Sequence, residues 1–217
     1  MTGVVGSVHD KFVHTRRVKR LAGLFATLIP QGAQVLDVGC GDGIIDRFIM
    51  DQRSDLSIQG IEVSVRNETR VPVIPFDGLN IPYPNASFDI VMFVDVLHHT
   101  SDPTPLLREA KRVGKIILLK DHLCDGLFAH STLSFMDWVG NAHHGVPLPY
   151  NYWPKRKWNS VLSELDLKII DMNESLGLYQ APASWFFDRG LHFIARIDSG
   201  TCGAKDLSRA SVLDQRA

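Results

Sequence analysis

The chain has 217 residues, 45% of them hydrophobic, with 23 basic against 24 acidic side chains and a net charge of −1. That length allows one substantial α/β core and leaves little room for a second. The near-neutral balance lacks the basic footprint of a nucleic-acid binder, and the odd trio Cys40, Cys124 and Cys202, with no metal-ligand spacing, points to a reducing, cytoplasmic compartment without structural disulfides.

Residues 11–29 predict an amphipathic helix that packs on a sheet or covers a ligand. Arg16, Arg17, Lys19 and Arg20 ahead of the apolar residues 21–29 imitate a secretory leader, but so short a run cannot span a bilayer. No membrane span is expected. Residues 34–38 read as a strand that runs through Gly39, Gly41 and Gly43 into the apolar-periodic stretch Ile44, Ile45, Phe48, Ile49. A strand, a glycine turn and a helix bring bare backbone against a nucleotide-like ligand. Residues 56–63 and 71–76 read as the next two strands, and 64–70 between them are too few for a full crossover helix.

Residues 88–97 form a nearly continuous apolar run, as expected of a central strand covered on both faces. A helix over 104–113, a strand over 115–120, a helix over 130–138, a Pro/Gly/aromatic loop over 140–154 and a helix over 155–165 follow. Strands over 167–173 and 191–197 complete the set. Strands alternating with helices predict a doubly wound, mainly parallel sheet. Residues 1–198 are expected to form a single domain with a substrate-side insertion at 121–154, and 199–217 a flexible tail.

In such sheets ligands lie beyond the carboxyl ends of the strands. The acids fall there: Asp37 before the glycine turn, Glu62 after strand two, Asp77 after strand three, Asp95 after strand four. A ribose needs an acceptor for its hydroxyls, and a carboxylate about 20 residues past the glycines supplies it, as Glu62 would. Ile44 stands where a dinucleotide fingerprint wants its third glycine, and no Tyr-x-x-x-Lys pair is present, which disfavours a nicotinamide enzyme.

Asp-x-Gly-x-Gly-x-Gly on Asp37, Gly39, Gly41 and Gly43 resembles motif I of the class I S-adenosylmethionine-dependent methyltransferases, and the run from Phe88 through Val94 to Leu97, His98 and His99 resembles their type 11 group. The resemblance spans about residues 33–198. It implies seven strands in the order 3-2-1-4-5-7-6 with the last antiparallel, S-adenosylmethionine as cofactor and S-adenosylhomocysteine as product. It further implies that Gly39, Cys40 and Gly41 give backbone contacts to the methionine part, with Asp37 near its ammonium or ordering the turn. Glu62 would hold the ribose, Val63 would pack on the adenine, Asp77 and the Gly78 amide would address its edge, and Asp95 and Val96 would line the methionine side.

Methyl transfer is an in-line displacement that needs a base only when the nucleophile starts protonated. His122 after strand five and Asp95 are the candidate catalytic groups, with His122 equally readable as a structural histidine. His99, His143, Tyr150 and Trp153 are candidates to line a small, apolar or aromatic methyl acceptor. Asp95 with Asp121 and His122 also resembles the metal-binding acids of catechol O-methyltransferases, although no metal is expected from these ligand types. The rival readings are a noncatalytic cofactor-binding protein and a divalent-metal-assisted O-methyltransferase.

Overall fold

Seven strands form one sheet, β1 (Gln34–Val38), β2 (Ser57–Glu62), β3 (Val73–Pro75), β4 (Phe88–Val94), β5 (Gly114–His122), β6 (Lys168–Asn173) and β7 (His192–Asp198), in the order β3-β2-β1-β4-β5-β7-β6. They are seen in a computed structural model that describes residues 3–141 and 148–200 and, within these, the side chains other than those of 3–14, 140 and 141. The expected order and class are the observed ones: β1 to β5 pair in parallel, and β7 runs antiparallel to both β5 and β6.

The apolar runs of β4 and β5 feed two faces because successive strand side chains point opposite ways. Ile90, Met92, Ile116 and Leu118 join one core cluster with α1 (Gly3–Leu28) and α2 (Ile44–Gln52). Val91, Phe93, Ile117 and Leu119 join the other with α3 (Thr104–Val113) and α5 (Lys155–Glu164). On α1 the buried positions Val18, Leu21, Ala22, Phe25 and Ala26 recur at helical spacing, so the stretch that imitates a leader lies in the core. Arg53, just past α2, donates to the Ala26 and Ile29 carbonyls at 2.8 and 3.1 Å and so satisfies the last turn of α1.

Several boundaries differ from expectation for local reasons. Strand β4 stops at Val94 because Asp95 takes a left-handed conformation (φ 58°) and turns the chain into the 3-10 segment Leu97–His99. No helix lies among the described residues between β2 and β3, as the short connection demanded. The insertion carries α4 (Ala129–Asn141), and a short α6 (Ser184–Phe187) precedes β7 without a sequence signal that periodicity could detect over so few residues. Gly200 is the last residue described, so most of the expected tail lies outside the described residues.

Candidate active site

Three glycines of the turn after β1 have positive φ, yet their surroundings differ. A Cβ on Gly39 would meet Val96 Cγ2 at 2.7 Å, and one on Gly43 would meet Val71 Cγ2 at 2.6 Å, so both are glycine because a side chain already packs there. At Gly41 the nearest atom is the Arg66 guanidinium at 3.6 Å, which leaves that face of the turn open to a ligand. Cys40 turns its side chain down onto Gly60 of β2, where a Cβ would collide with its sulfur, so only its backbone faces the ligand edge.

Glu62 ends β2 beside this turn. Its Oε2 accepts the Gly41 N–H at 2.8 Å and its Oε1 accepts the Val63 N–H at 2.8 Å, so the expected ribose acceptor is held by the same backbone that forms the open turn. Val63 is 59% exposed, a large apolar side chain without cover, and a Cβ on Gly78 would meet it at 3.2 Å. Val63 and Gly78 thus line one spot, while the Asp77 carboxylate closes its own turn by accepting from Leu79 N and Asn80 N at 2.8 and 2.6 Å. An open glycine, a carboxylate acceptor and an uncovered apolar side chain at adjacent strand ends fit the backbone, ribose and adenine portions of S-adenosylmethionine.

Beneath the turn lies the expected Asp37, joined by Asp46, which strand-end reasoning missed. Asp37 of β1 and Asp46 in the first turn of α2 are 3% and 0% exposed. Burial, then the Asp46 charge, raises Asp37 well above the carboxylate range, and burial pushes Asp46 up to about 7.

At the ends of β4 and β5 a second cluster forms. Lys120 continues the Ile116, Leu118 face of β5 toward α1, and it is fully buried against Asp95, which also pairs with Arg17 of α1. Burial alone would raise the Asp95 carboxyl, but Lys120 and Arg17 hold it well below its usual range. Asp121 accepts from His98 Nδ1 at 2.7 Å, from Leu97 N at 3.1 Å and from His122 N at 2.8 Å. On its other side His98 Nε2 lies 3.4 Å from Asp137 of α4, whose carboxylate accepts the Tyr152 hydroxyl at 2.5 Å. Burial opposes its charge, yet Asp121 and Asp137 raise His98 to about 10.

His122 has the opposite fate: burial, Lys120 and His98 lower it to about 4, so it is neutral at physiological pH. Its Nε2 is 3.7 Å from Asp95 Oδ1. His192, opposite His122 across the β5–β7 ladder, is pushed well below its usual value by burial and Lys120, as suits an acceptor 3.3 Å from that ammonium. Three cations (Arg17, Lys120, His98) thus face three carboxylates (Asp95, Asp121, Asp137), a balance that lets the cluster stay buried.

The structure brings Asp95, His122 and His99 together. His99 is half-buried with its ring centroid 4.1 Å from that of His98. Tyr150 is half-buried 6.4 Å from Tyr152, and His143 lies outside the described residues. Trp153 corrects the expectation of a substrate wall: it is 3% exposed and packs on Trp158 at 4.8 Å within the core, because Pro154 and the start of α5 fold it inward. Arg17, Asp46, Lys120, Asp137 and His192 were not expected at the site. A charged Lys in an otherwise apolar strand and an Asp on the buried face of α2 were the available signals.

A family model described as a methyltransferase domain matches residues 10–172. The chain is 33% identical over 112 residues to a 27-O-demethylrifamycin SV methyltransferase of Amycolatopsis mediterranei, covering 46% of this chain and 40% of the relative. It is 31% identical over 126 residues to a ubiquinone biosynthesis O-methyltransferase of Xanthomonas oryzae pv. oryzae, covering 50% and 52%. A tRNA (carboxymethyluridine(34)-5-O)-methyltransferase of Schizosaccharomyces pombe matches at 26% over 92 residues, covering 41% and 39%. The chain spans about half the length or less of these curated relatives. A structure of an S-adenosylmethionine-dependent methyltransferase from Aquifex aeolicus shares the fold, with a TM-score of 0.59 at 16% identity over 88% of this chain and 97% of that one. With its motif, sheet order and family match in agreement, the chain belongs to the methyltransferase-domain family, among the class I S-adenosylmethionine-dependent methyltransferases.

Proposed function

We propose that the protein transfers a methyl group from S-adenosylmethionine to a hydroxyl oxygen of a small, apolar or aromatic metabolite. The observation that carries this reading is the juxtaposition, on one strand-end edge, of the open Gly41 turn tied to Glu62 and the buried Asp95–His122 group. Gly41, Glu62, Val63 and Gly78 would hold the cofactor, which when bound supplies an electrophilic methyl on a sulfonium and leaves as a neutral thioether.

The chain's own part is to place the acceptor and handle its proton. A hydroxyl that takes a methyl must lose its proton, and neutral His122, its Nε2 3.7 Å from Asp95 Oδ1, is the candidate acceptor for that proton. Arg17 and Lys120 hold Asp95 in place by ion pairs from α1 and β5. Holding the acceptor oxygen in line with the methyl would lower the barrier further.

The donor set Asp95, His98, Asp121 and His122 places one ligand atom each within 4.8 Å, the geometry of a metal-assisted alternative. Its chemistry fits a divalent ion poorly, since Asp95 is neutralised by two cations and His98 is held protonated. The test is methyl transfer from labelled S-adenosylmethionine to a panel of phenols, hydroquinones and aliphatic alcohols, with a tRNA arm and a chelator arm. Chelator-insensitive product on a phenol or hydroquinone is expected. Cofactor binding without S-adenosylhomocysteine release on any acceptor would establish the noncatalytic reading, and label in tRNA alone would overturn the small-molecule one.

A further inference from the structure

Helix α4 is apolar on the side away from the core as well as toward it. Its inner face gives Ala129 and Leu133 to a small cluster with Tyr152 and sets Asp137 near His98. Phe128, just before the helix, and Thr132, Phe135 and Val139 on it recur at helical spacing on the opposite face, with Trp138 beside them. The four apolar members of that face are exposed, and Phe128 stands there in a left-handed conformation (φ 62°) that is costly for a bulky residue. Arg189 joins a second exposed pair, Trp185 and Phe186 of α6, to this stripe: its guanidinium reaches Thr132 Oγ1 at 3.4 Å and donates to the Phe186 carbonyl at 3.1 Å. All the described phenylalanines and tryptophans that are more than half exposed therefore lie on one surface, and a rimmed apolar patch of this kind marks a contact.

The charges at its rim select the partner. Lys155 N donates to Asp125 Oδ2 at 2.7 Å, which sets the start of α5, with Arg156 and Lys157 exposed, beside the chain leading into Phe128. The acids nearby are engaged: Asp125 by that amide, Glu174 by the Lys155 ammonium, Asp188 by the Leu178 and Tyr179 N–H groups, Asp102 by Thr104 N. Arg156, Lys157 and Arg189 have no ion pair among the described residues. Two copies meeting through this face would set those cations against each other, since a two-fold contact pairs a patch with itself. A bilayer does the reverse, because its headgroup boundary accepts aromatic rings without directional bonds and anionic headgroups attract the basic rim.

We propose that the outer face of α4, with Trp185 and Phe186 of α6, is a docking surface for an anionic lipid bilayer. The aromatics enter the headgroup boundary while Arg156, Lys157 and Arg189 meet lipid phosphates. No described helix is long and apolar enough to cross a membrane, so the contact is a surface one. Because the inner face of α4 lies against His98, docking sets the His98–His122 end of the site beside the bilayer. The proposal stands on the surface alone and does not depend on which acceptor is methylated.

Cosedimentation of the full chain with vesicles of phosphatidylcholine containing phosphatidylglycerol, against vesicles of phosphatidylcholine alone, tests this. Wild type should prefer the anionic vesicles and bind them more weakly as salt rises. The double variants Phe135→Ser/Trp138→Ser and Trp185→Ser/Phe186→Ser should each weaken binding by ~10-fold or more. Their urea midpoints should stay near wild type, because all four side chains are exposed. Arg156→Glu/Lys157→Glu should weaken binding by about 5-fold or more per charge. Tryptophan emission gives a second readout: Trp153 and Trp158 are buried, so a blue shift on binding comes from Trp138 and Trp185. It should vanish in Trp138→Phe/Trp185→Phe, which still binds. Absence of vesicle binding at low salt, or binding that both aromatic double variants leave unchanged, overturns the proposal. A dimer abolished by those same substitutions, without vesicle binding, overturns it in favour of a second copy.

Discussion

Glu62 is the residue through which the cofactor reading is most directly tested. Its carboxylate accepts the Gly41 and Val63 N–H groups, each at 2.8 Å, and has lone pairs to spare for a ribose. Glu62→Ala removes the acceptor for the ligand and also frees the Gly41 N–H that fixes the turn. Hydrogen bonds to a charged group contribute roughly 1.5–3 kcal/mol. Part of the Gly41 loss returns as solvation of the freed amide, so a net weakening of about 1–3 kcal/mol is expected, or about 5- to 150-fold in affinity. Glu62→Gln keeps one acceptor and should fall between. Calorimetry with S-adenosylhomocysteine gives the affinity, and turnover at saturating cofactor should change little because ribose contacts bind ground and transition states alike. Unchanged affinity in a folded Glu62→Ala protein, or lost turnover with affinity intact, would refute the assignment.

The two open-φ glycines Gly41 and Gly43 should separate function from folding: Gly41→Ala is expected to cut cofactor affinity with only the ~1–2 kcal/mol of left-handed strain in stability, whereas Gly43→Ala, meeting Val71 at 2.6 Å, should lower the melting temperature more than Gly41→Ala does. His98→Gln leaves Asp121 and Asp137 without their cation and should destabilise by about 3–5 kcal/mol near neutrality. The folded His98 pKa of about 10 exceeds the unfolded value of about 6.5. Its stabilisation is therefore complete below about pH 6.5 and lost as pH rises through about 10, a slope that urea midpoints should show in wild type and not in the variant. Trp153→Ala, a core deletion rather than a substrate contact, should destabilise by about 3–5 kcal/mol, with cofactor binding and turnover lost together at elevated temperature; lower methyl transfer at unchanged stability would return Trp153 to the acceptor site.

The candidate cofactor residues could be named from the sequence because they lie at or just past the ends of successive strands. Asp37 and Glu62 lie at the ends of β1 and β2, Val63 directly follows β2, and Gly41 and Gly78 lie in the turns after β1 and β3, all beside apolar runs that periodicity finds. The acceptor half was legible only in outline. Asp95 and His122 follow strands too, but what sets their protonation comes from afar: Arg17 is 78 residues from Asp95, and His98 draws on Asp121 and Asp137 from separate elements. No spacing rule joins residues on α1, β5 and α4. Asp46 was hidden for the reverse reason, since an acid in the first turn of a helix usually faces solvent and favours the dipole there, and only its 0% exposure shows it turned inward. Trp153 misled because aromatic residues near a Pro-rich loop suit a cavity wall and a core equally well.

Antiparallel β7 changes what can be altered at this edge. A parallel strand presents to the ligand the loop that follows it, and that loop must also lead into a crossover helix. Strand β7 instead enters the sheet at the ligand edge, with His192 opposite His122, so the connection between β6 and β7, with α6 inside it, arrives there without the duty of crossing the sheet. Within it Trp185 and Phe186 are 69% and 60% exposed, and Arg189 reaches Thr132 of α4 at 3.4 Å. The connection's exposed aromatics can change while every parallel crossover and the glycine turn stay as they are, whereas Leu176 and Leu178 of the same connection are buried in the core with α1. An antiparallel last strand therefore leaves this edge one connection whose surface can vary independently of the crossovers that build the sheet.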